Sequence, residues 1–362
     1  MEPDIHAWRL NKTVKLMPRE HSWVGPFSML YIDNLVGVGY SFTEDSRGIR
    51  ENRKLYTRDL NSAVQQFYRL FPHLNTTDLY IGGQSYAAKY VITLAYRIHR
   101  RNTKLSKLTK PKLPLKGVYL GGPFYDGNRQ GRALYKFLFS IGWIGKSELE
   151  KGRSRVDELF RKFRNQEHIE SMSVYESLFN HPMQGISGSM DNFVTNRGMD
   201  LQLLAAVAGS RLVREAAHIG EGEFKDIIVK QFSEGVRPDV LVNSRRKMAA
   251  LMDHYKVLVY NGDFDLIVSS ASVEAALLRT QWAGLEAYKK CERKPWYLGG
   301  GVGGRSYWAG FYSVVGRFCR VVVHGAGHQA PRDRPSEVRR MMEDFVQHGC
   351  VKQRVGSWLL GG

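Results

Sequence analysis

The sequence has few cysteines and contains no long apolar run. Only Cys291, Cys319 and Cys350 occur among 362 residues. They are too few and too scattered for a metal site or a disulfide framework, and their odd number leaves at least one thiol free. No run of 18 apolar residues is present, which excludes a transmembrane helix. No apolar stretch follows Met1 to Asp4, so a secretory signal is not predicted either.

Acidic residues are also scarce, since 35 Asp and Glu face 53 Lys and Arg, giving a formal net charge of +18. Eight basic residues lie between Arg97 and Lys116, and smaller clusters lie at 50–54, 245–247 and 339–340. Such charge can indicate a nucleic-acid or acidic-glycan partner. The basic runs lack interleaved aromatic residues, however, and no nucleic-acid fold motif occurs. We therefore predict no specific nucleic-acid partner, only a general attraction to acidic partners or substrates.

Residue patterning predicts an α/β fold. Strands and helices alternate over 27–145 and again over 251–362, whereas 146–250 has a mostly helical pattern. The sequence thus predicts a single domain, 1–362, in which residues 146–250 (the insert) form a mostly helical insertion. The individual elements predicted most directly are a strand at 28–32, a helix at 56–71, a strand at 115–120 and a helix at 336–348.

The segment from Leu79 to Val91 carries the most informative local pattern. An apolar, β-prone stretch leads to Ser85, and a helical pattern follows. A strand, a sharp turn at a serine and a helix make up a nucleophile elbow, in which the helix N-terminus favours developing negative charge. Gly83 and Ala87 provide the small neighbours that the turn needs. An ordinary strand–turn–helix connection would give the same local pattern.

Two later strands end in residues that complete a catalytic set. The strand at 257–260 leads to Asp263 and Asp265, and the strand at 321–324 leads to His328. The order Ser85, Asp265, His328 is that of the α/β-hydrolases. Serine is a weak nucleophile that needs a base, and the base needs a carboxylate to orient it. Asp263 competes for the acid role, whereas His324 lies inside the strand, where we expect a structural histidine.

With these residues identified, the chain resembles the serine carboxypeptidases, most closely their vitellogenic-like branch. The resemblance runs from about Trp8 to the C-terminus and implies an α/β-hydrolase fold with a helical lid. It also implies a reaction that releases C-terminal residues from peptides through an acyl-enzyme. The matching blocks lie at 28–34, 36–42, 83–91, 213–220, 260–265 and 325–328.

The resemblance assigns the site residues one by one. Ser85 matches the family nucleophile, Asp265 the orienting acid and His328 the base. The backbone N–H of Tyr86, which follows the nucleophile, matches an oxyanion-hole donor. The resemblance implies peptide or protein substrates and neither a metal nor another cofactor. It gives no indication of the oligomeric state.

Three further residues are assigned to substrate binding, namely Asn34, Gln84 and Gln329. Gln84 replaces a family glutamate that helps to hold the substrate's C-terminal carboxylate when it is protonated. An amide can donate the same hydrogen bond without titrating, so Gln84 could imitate the protonated acid. The change could equally mark loss of function.

The family also has a Trp-x-x-Gly-Gly-Pro-Gly loop that supplies a second oxyanion donor, and nothing in residues 1–30 matches it. We therefore expect an N-terminally truncated fold whose activity is impaired. The resemblance implies a lysosomal or extracellular location, reached through the secretory pathway. One alternative is a catalytically inactive paralogue that binds peptides or proteins through the same cleft. Another is an esterase or acyltransferase on the same scaffold.

Overall fold

The structure is a computed structural model that describes most of the chain. The described residues are 5–10, 13–48, 53–104, 112–167, 191–195, 201–220, 224, 239, 241–299 and 306–353. The strands within these ranges are β1 (Ile5–Leu10), β2 (Thr13–Pro18), β3 (Leu79–Gln84), β4 (Leu115–Gly121), β5 (Lys256–Gly262), β6 (Lys294–Leu298), β7 (Tyr307–Val315) and β8 (Phe318–Val323).

Helices cover the sheet and form the described part of the insert. They are α1 (Arg53–Leu70), α2 (Ala87–Lys104), α3 (Gly127–Ser140), α4 (Lys146–Arg164), α5 (Leu201–Ala208), α6 (Arg211–Ala216), α7 (Arg245–His254), α8 (Ser270–Leu277), α9 (Leu285–Lys290), α10 (Ala330–Asp333) and α11 (Pro335–His348). No helix in the described ranges is both long and apolar enough to cross a membrane.

The central sheet has the strand order β3-β4-β5-β8-β7-β6. The strands β3, β4, β5 and β8 are parallel, and β7 and β6 continue the sheet antiparallel. The pair β1 and β2 forms a separate antiparallel hairpin. Because the four parallel strands point the same way, the loops after β3, β5 and β8 meet at one edge of the sheet.

Both faces of the sheet are covered, which explains why β5 and β8 are buried along most of their length rather than on alternate residues. Alternate residues of β5 enter two different cores. Val257 and Val259 pack on the side of α2, α3 and α8. Leu258 and Tyr260 pack on the side of α11.

Most of the predicted elements are confirmed. The helix expected at 56–71 is α1, the strand expected at 115–120 is β4, and the last helix is α11. The strand predicted at 28–32 is wrong, because residues 28–34 have no regular structure. A strand needs a partner, and the backbone of this segment is bonded to no described strand. Leu30 and Tyr31 are instead 48% and 51% exposed.

The described part of the insert contains the helices α4, α5 and α6 and the first turns of α7, joined by turns such as 191–195. Residues 168–190, 196–200, 221–223, 225–238 and 240 lie outside the described residues. The division into one domain with a lid at 146–250 therefore stays a prediction.

Two of the three cysteines are joined, contrary to the expectation from their spacing. Cys319 on β8 and Cys350 just after α11 form a disulfide, with their Cα atoms 5.3 Å apart. They are 31 residues apart in sequence, but α11 packs back across the sheet and brings them together. Cys291 is the free thiol that the odd number predicted.

Several arginines of the basic clusters are paired within the protein. Arg245 lies 3.0 Å from Asp126. Arg339 and Arg340 lie 3.0 and 3.2 Å from Glu343. Residues 50–52 and 105–111 of the other clusters lie outside the described ranges.

Candidate active site

The turn after β3 has the geometry predicted for a nucleophile elbow. Ser85 has a φ of 56°, in the left-handed region that residues other than glycine seldom adopt. Its N–H donates to the carbonyl of Gly121 at 2.8 Å, and its own carbonyl accepts from the N–H of Phe124 at 3.1 Å. These bonds hold Ser85 at the carboxyl edge of the sheet, beside the loop that follows β4.

The elbow needs small residues on either side of the serine. A Cβ atom at Gly83 would lie 2.9 Å from Val91 Cγ2 and 3.0 Å from the Cβ of Ala87. Both contacts are closer than side chains normally tolerate, so the helix can approach the strand only because position 83 is glycine.

The loops after β5 and β8 bring Asp265 and His328 together. His328 Nδ1 lies 2.9 Å from Asp265 Oδ2, and the two side chains are 6% and 0% exposed. The other oxygen of Asp265, Oδ1, accepts from the N–H of Val268 at 2.8 Å. A carboxylate held in this way fixes the orientation of the imidazole and leaves Nε2 available as a base.

The electrostatic environment of His328 favours its charged form. Burial alone would lower the pKa of His328, but the charge and the hydrogen bond of Asp265 outweigh it. The pKa of His328 is therefore raised above its ordinary value. The pair can thus stabilise an imidazolium that forms during a reaction.

Residues bonded to or adjacent to Ser85 approach this pair. A Cβ atom on Gly122, next to the Gly121 carbonyl that accepts from Ser85, would lie 3.2 Å from Asp265 Oδ2 and 3.3 Å from His328 Nδ1. The Gln84 amide also donates directly to the His328 carbonyl. In the described part of the chain the Ser85 hydroxyl makes no hydrogen bond to His328. Catalytic hydrogen bonds often tighten only once substrate is bound.

Asp263, the competing aspartate, has a different partner. Its Oδ2 lies 2.8 Å from His324 Nδ1, and its Oδ1 accepts from the N–H of Gly325 at 2.8 Å. Burial raises the pKa of Asp263, and His324 opposes that rise. His324 in turn stacks on Trp308 with ring centroids 4.1 Å apart. The two aspartates of this loop therefore hold two different histidines, and Asp265 alone holds His328.

The three predicted substrate-binding residues have different surroundings. The buried Nδ2 of Asn34 has no hydrogen-bond partner among the described residues, and the adjacent Leu35 belongs to a small apolar cluster against which Tyr86 packs. Gln329 directly precedes α10, and its side chain makes no hydrogen bond to a described residue. The Gln84 amide uses one of its two N–H groups on the His328 carbonyl.

The side chain of Tyr86 reaches into the insert, which the sequence did not indicate. Its hydroxyl donates to Asp239 Oδ2 at 3.2 Å. Burial, followed by the charge of Asp239, raises the pKa of Tyr86, so the phenol stays a hydrogen-bond donor. Asp239 follows no recognisable motif, and only the folded chain reveals its contact with the elbow.

Metal ligands are not grouped in the described residues. No set of three or more His, Cys, Asp or Glu side chains lies close enough there to hold an ion. The chemistry suggested by this arrangement is that of an imidazole held in a fixed orientation by a buried carboxylate.

Comparison with known proteins places this chain in a family. The family model described as serine carboxypeptidase matches residues 5–348. The human probable serine carboxypeptidase CPVL is 31% identical over 348 residues, covering 93% of this chain and 71% of its own length. The venom serine carboxypeptidase of Apis mellifera is 31% identical, with 93% and 72% covered. The vitellogenic carboxypeptidase of Aedes aegypti is 29% identical, with 93% and 70% covered.

A solved structure has a similar fold. Kex1ΔP, a prohormone-processing carboxypeptidase from Saccharomyces cerevisiae, superposes with a TM-score of 0.79 at 18% identity. The match covers 92% of this chain and 76% of that chain. The fold is therefore that of an α/β-hydrolase, and the chain belongs to the serine carboxypeptidase family.

Proposed function

We propose that this protein removes C-terminal residues from peptides through an acyl-enzyme formed on Ser85. The observation that carries the proposal is the buried Asp265–His328 pair beside the strained turn at Ser85. The insert, residues 146–250, acts as the lid over this cleft. The family match supports the reaction type, whereas the roles of the individual residues rest on their geometry.

In the first step Ser85 Oγ attacks the carbonyl carbon of the last peptide bond, and His328 Nε2 takes the hydroxyl proton. Asp265 stabilises the imidazolium, and the Tyr86 N–H donates to the developing oxyanion. The C–N bond then breaks, and His328 gives its proton to the departing amine. Water, activated by the same imidazole, hydrolyses the ester and restores Ser85.

Selectivity for a free C-terminus requires donors that hold a carboxylate. The buried Nδ2 of Asn34, which has no partner in the part of the chain that the structure describes, is one such donor, because a buried N–H without a partner costs free energy until a ligand satisfies it. The remaining N–H of Gln84 and the side chain of Gln329 complete the set. All three donate without carrying a charge of their own at any working pH.

A second candidate is a paralogue that binds peptides without cleaving them. It is favoured by the absence of a hydrogen bond from the Ser85 hydroxyl to His328 in the described residues. The same cleft and the same carboxylate donors would then hold a peptide C-terminus.

A labelling experiment separates the two candidates. A fluorophosphonate probe reacts with a serine that a neighbouring base activates, so the wild-type protein should be labelled and Ser85→Ala should not. Release of the C-terminal residue from a blocked dipeptide should follow the same pattern. Binding of the dipeptide without labelling or release would instead favour the non-catalytic candidate.

We also propose a location in the secretory pathway, lysosomal or extracellular. The Cys319–Cys350 disulfide supports it, because disulfides persist mainly in oxidising compartments.

A further inference from the structure

The insert contacts the candidate active site through two segments. The first is 191–195, and the second comprises Asp239 with residues 241–244. The first segment bonds to the loops that carry Asp265 and His328. The second bonds to the elbow that carries Ser85.

The first segment joins the loops of the acid and the base. The N–H of Phe193 donates to the carbonyl of Phe264, the residue before Asp265, at 3.2 Å. The N–H of His328 donates to the carbonyl of Asp191. The backbone of this short segment thus bonds to both the loop of Asp265 and the loop of His328. These two loops must hold the carboxylate and the imidazole at hydrogen-bonding distance.

A buried amide fixes this segment to the histidine loop. Asn192 is fully buried, and its Nδ2 donates to Asp333 Oδ2 at 3.0 Å. The same oxygen accepts from the N–H of Gly327, the residue before His328, at 2.7 Å. Asn192 Oδ1 accepts from the N–H groups of Val194 and Thr195, both at 3.1 Å. Its donor and acceptor are therefore both used inside the protein.

The second segment holds the elbow through Asp239. This buried carboxylate accepts at Oδ2 from the hydroxyl of Tyr56 at 2.6 Å and from that of Tyr86 at 3.2 Å. Its Oδ1 lies 3.0 Å from Arg53 Nε. A buried carboxylate with an ion pair and two hydroxyl donors is well compensated and therefore rigid.

Lys89 adds two hydrogen bonds between the helix that follows Ser85 and the second segment. Its Nζ donates to the carbonyls of Asp239 and Val242 at 2.6 and 3.0 Å. The residue lies one turn after Ser85 in the helix that follows it. The elbow therefore contacts the insert through the Tyr86 side chain and through its own helix.

We propose that the insert is a positioning element of the catalytic site, acting on the elbow through Asp239 and on the histidine loop through Asn192. The inference rests on the proposed function and adds a second role to the lid. Neither Asp239 nor Asn192 touches the reacting atoms. Displacing a catalytic group by about 1 Å can cost 10²-fold in rate, so small losses of order at these contacts should reduce kcat.

Two tyrosines provide a matched test for Asp239. Tyr56 and Tyr86 donate to the same carboxylate oxygen, but only Tyr86 belongs to the elbow. Tyr86→Phe should lower kcat about three- to tenfold with KM within about twofold, as expected for misplacement of a reacting group. Tyr56→Phe removes the shorter bond to the same oxygen but leaves the Tyr86 contact in place, so it should lower the melting temperature and reduce kcat less than Tyr86→Phe does.

Asn192 is tested in the same way, with Val194 as the control. Val194 lies in the same segment but its side chain is exposed. Asn192→Ala should lower kcat about tenfold and shift the acidic limb of the kcat profile, since it loosens the loop that sets the surroundings of His328. Val194→Ala should change neither quantity.

The rate of fluorophosphonate labelling distinguishes the possible failures. If the wild-type protein is not labelled at Ser85, the proposed function itself is wrong. If it is labelled, and Tyr86→Phe and Asn192→Ala react at the rate of their controls with unchanged kcat, the function stands. The positioning role is then overturned.

Discussion

The carbonyl oxygen of His328 accepts a hydrogen bond from the Gln84 amide, which ties the residue before the nucleophile to the loop of the base. An amide keeps its N–H groups at every pH, whereas a glutamic acid donates only while it is protonated. At this position the side chain therefore decides whether one contact near the cleft depends on pH.

We predict that Gln84→Glu makes substrate binding sensitive to pH. As the new acid loses its proton, it should repel both the His328 carbonyl and the substrate carboxylate. KM should then rise more steeply between mildly acidic and neutral pH than in the wild-type protein. The measurement is KM and kcat on one blocked dipeptide across that range, with Gln84→Met as a non-titrating control. Parallel KM curves for the wild-type and Gln84→Glu proteins would contradict the prediction.

Protonation of His328 should also appear in the same assays, as a pH dependence of kcat. Its pKa is raised, the Asp265 charge outweighing the effect of burial, and only its neutral form accepts a proton. In both the wild-type protein and Gln84→Glu, kcat should therefore fall on acidification, and kcat/KM, which reports the free protein, should fall with a midpoint above about 6.5, the ordinary value for histidine. A kcat that is flat down to pH 5 would argue against His328 as the base.

At the scale of elements, α2 joins the elbow to the insert through a buried lysine. Burial lowers the pKa of Lys89 to about 7, against an ordinary value of 10.5. In the window between these two values the unfolded chain binds a proton that the folded chain does not. The contribution of Lys89 to stability should therefore rise with pH from about 7 to 10.5, by at most about 1.4 kcal/mol per pH unit.

Lys89→Met tests this linkage. The variant loses two hydrogen bonds but also removes a charge that is costly to bury. The free energy of unfolding of the variant, minus that of the wild-type protein, should be largest below pH 7. This difference should decrease as pH rises, because the wild-type protein becomes more stable. Urea unfolding at several pH values measures the difference, with the exposed Lys104→Met as the control. A difference that does not vary with pH would refute the linkage.

How far the sequence predicted these elements depends on whether local or distant residues determine them. The apolar runs of β5 and β8 are local signals, so the strands that lead to Asp265 and His328 could be placed correctly. The strand predicted at 28–32 could not, because strand formation requires a neighbour that composition does not reveal. Asn192 and Asp239 carry no motif at all. Their importance comes from contacts with residues 141 and 153 positions away.

At the scale of the whole molecule, the Cys319–Cys350 disulfide connects a central strand to the end of the last helix. The sequence suggested no pairing, because the spacing of two cysteines does not show that a helix returns across the sheet. A disulfide that closes a loop of this length typically contributes about 2–4 kcal/mol.

Removing this bond should therefore lower global stability without altering the site. The double variant Cys319→Ser, Cys350→Ser should unfold at lower urea concentration, with kcat of the folded protein retained. Cys291→Ser should behave like the wild-type protein. Equal urea midpoints for the double variant and the wild-type protein would contradict a stabilising role.

The strand order has a consequence for how the protein loses activity. Ser85 follows β3, one of the two edge strands of the described sheet, whereas Asp265 and His328 follow the two adjacent inner strands β5 and β8. Outer strands open locally at a lower free energy than a buried centre. We therefore expect the amides of β3 to exchange with deuterium sooner than those of β8. The denaturant concentration at which half of the activity is lost should also be lower than the midpoint of unfolding measured by circular dichroism. The nucleophile would thus be lost first, while the acid and the base remain paired on a sheet that is still intact.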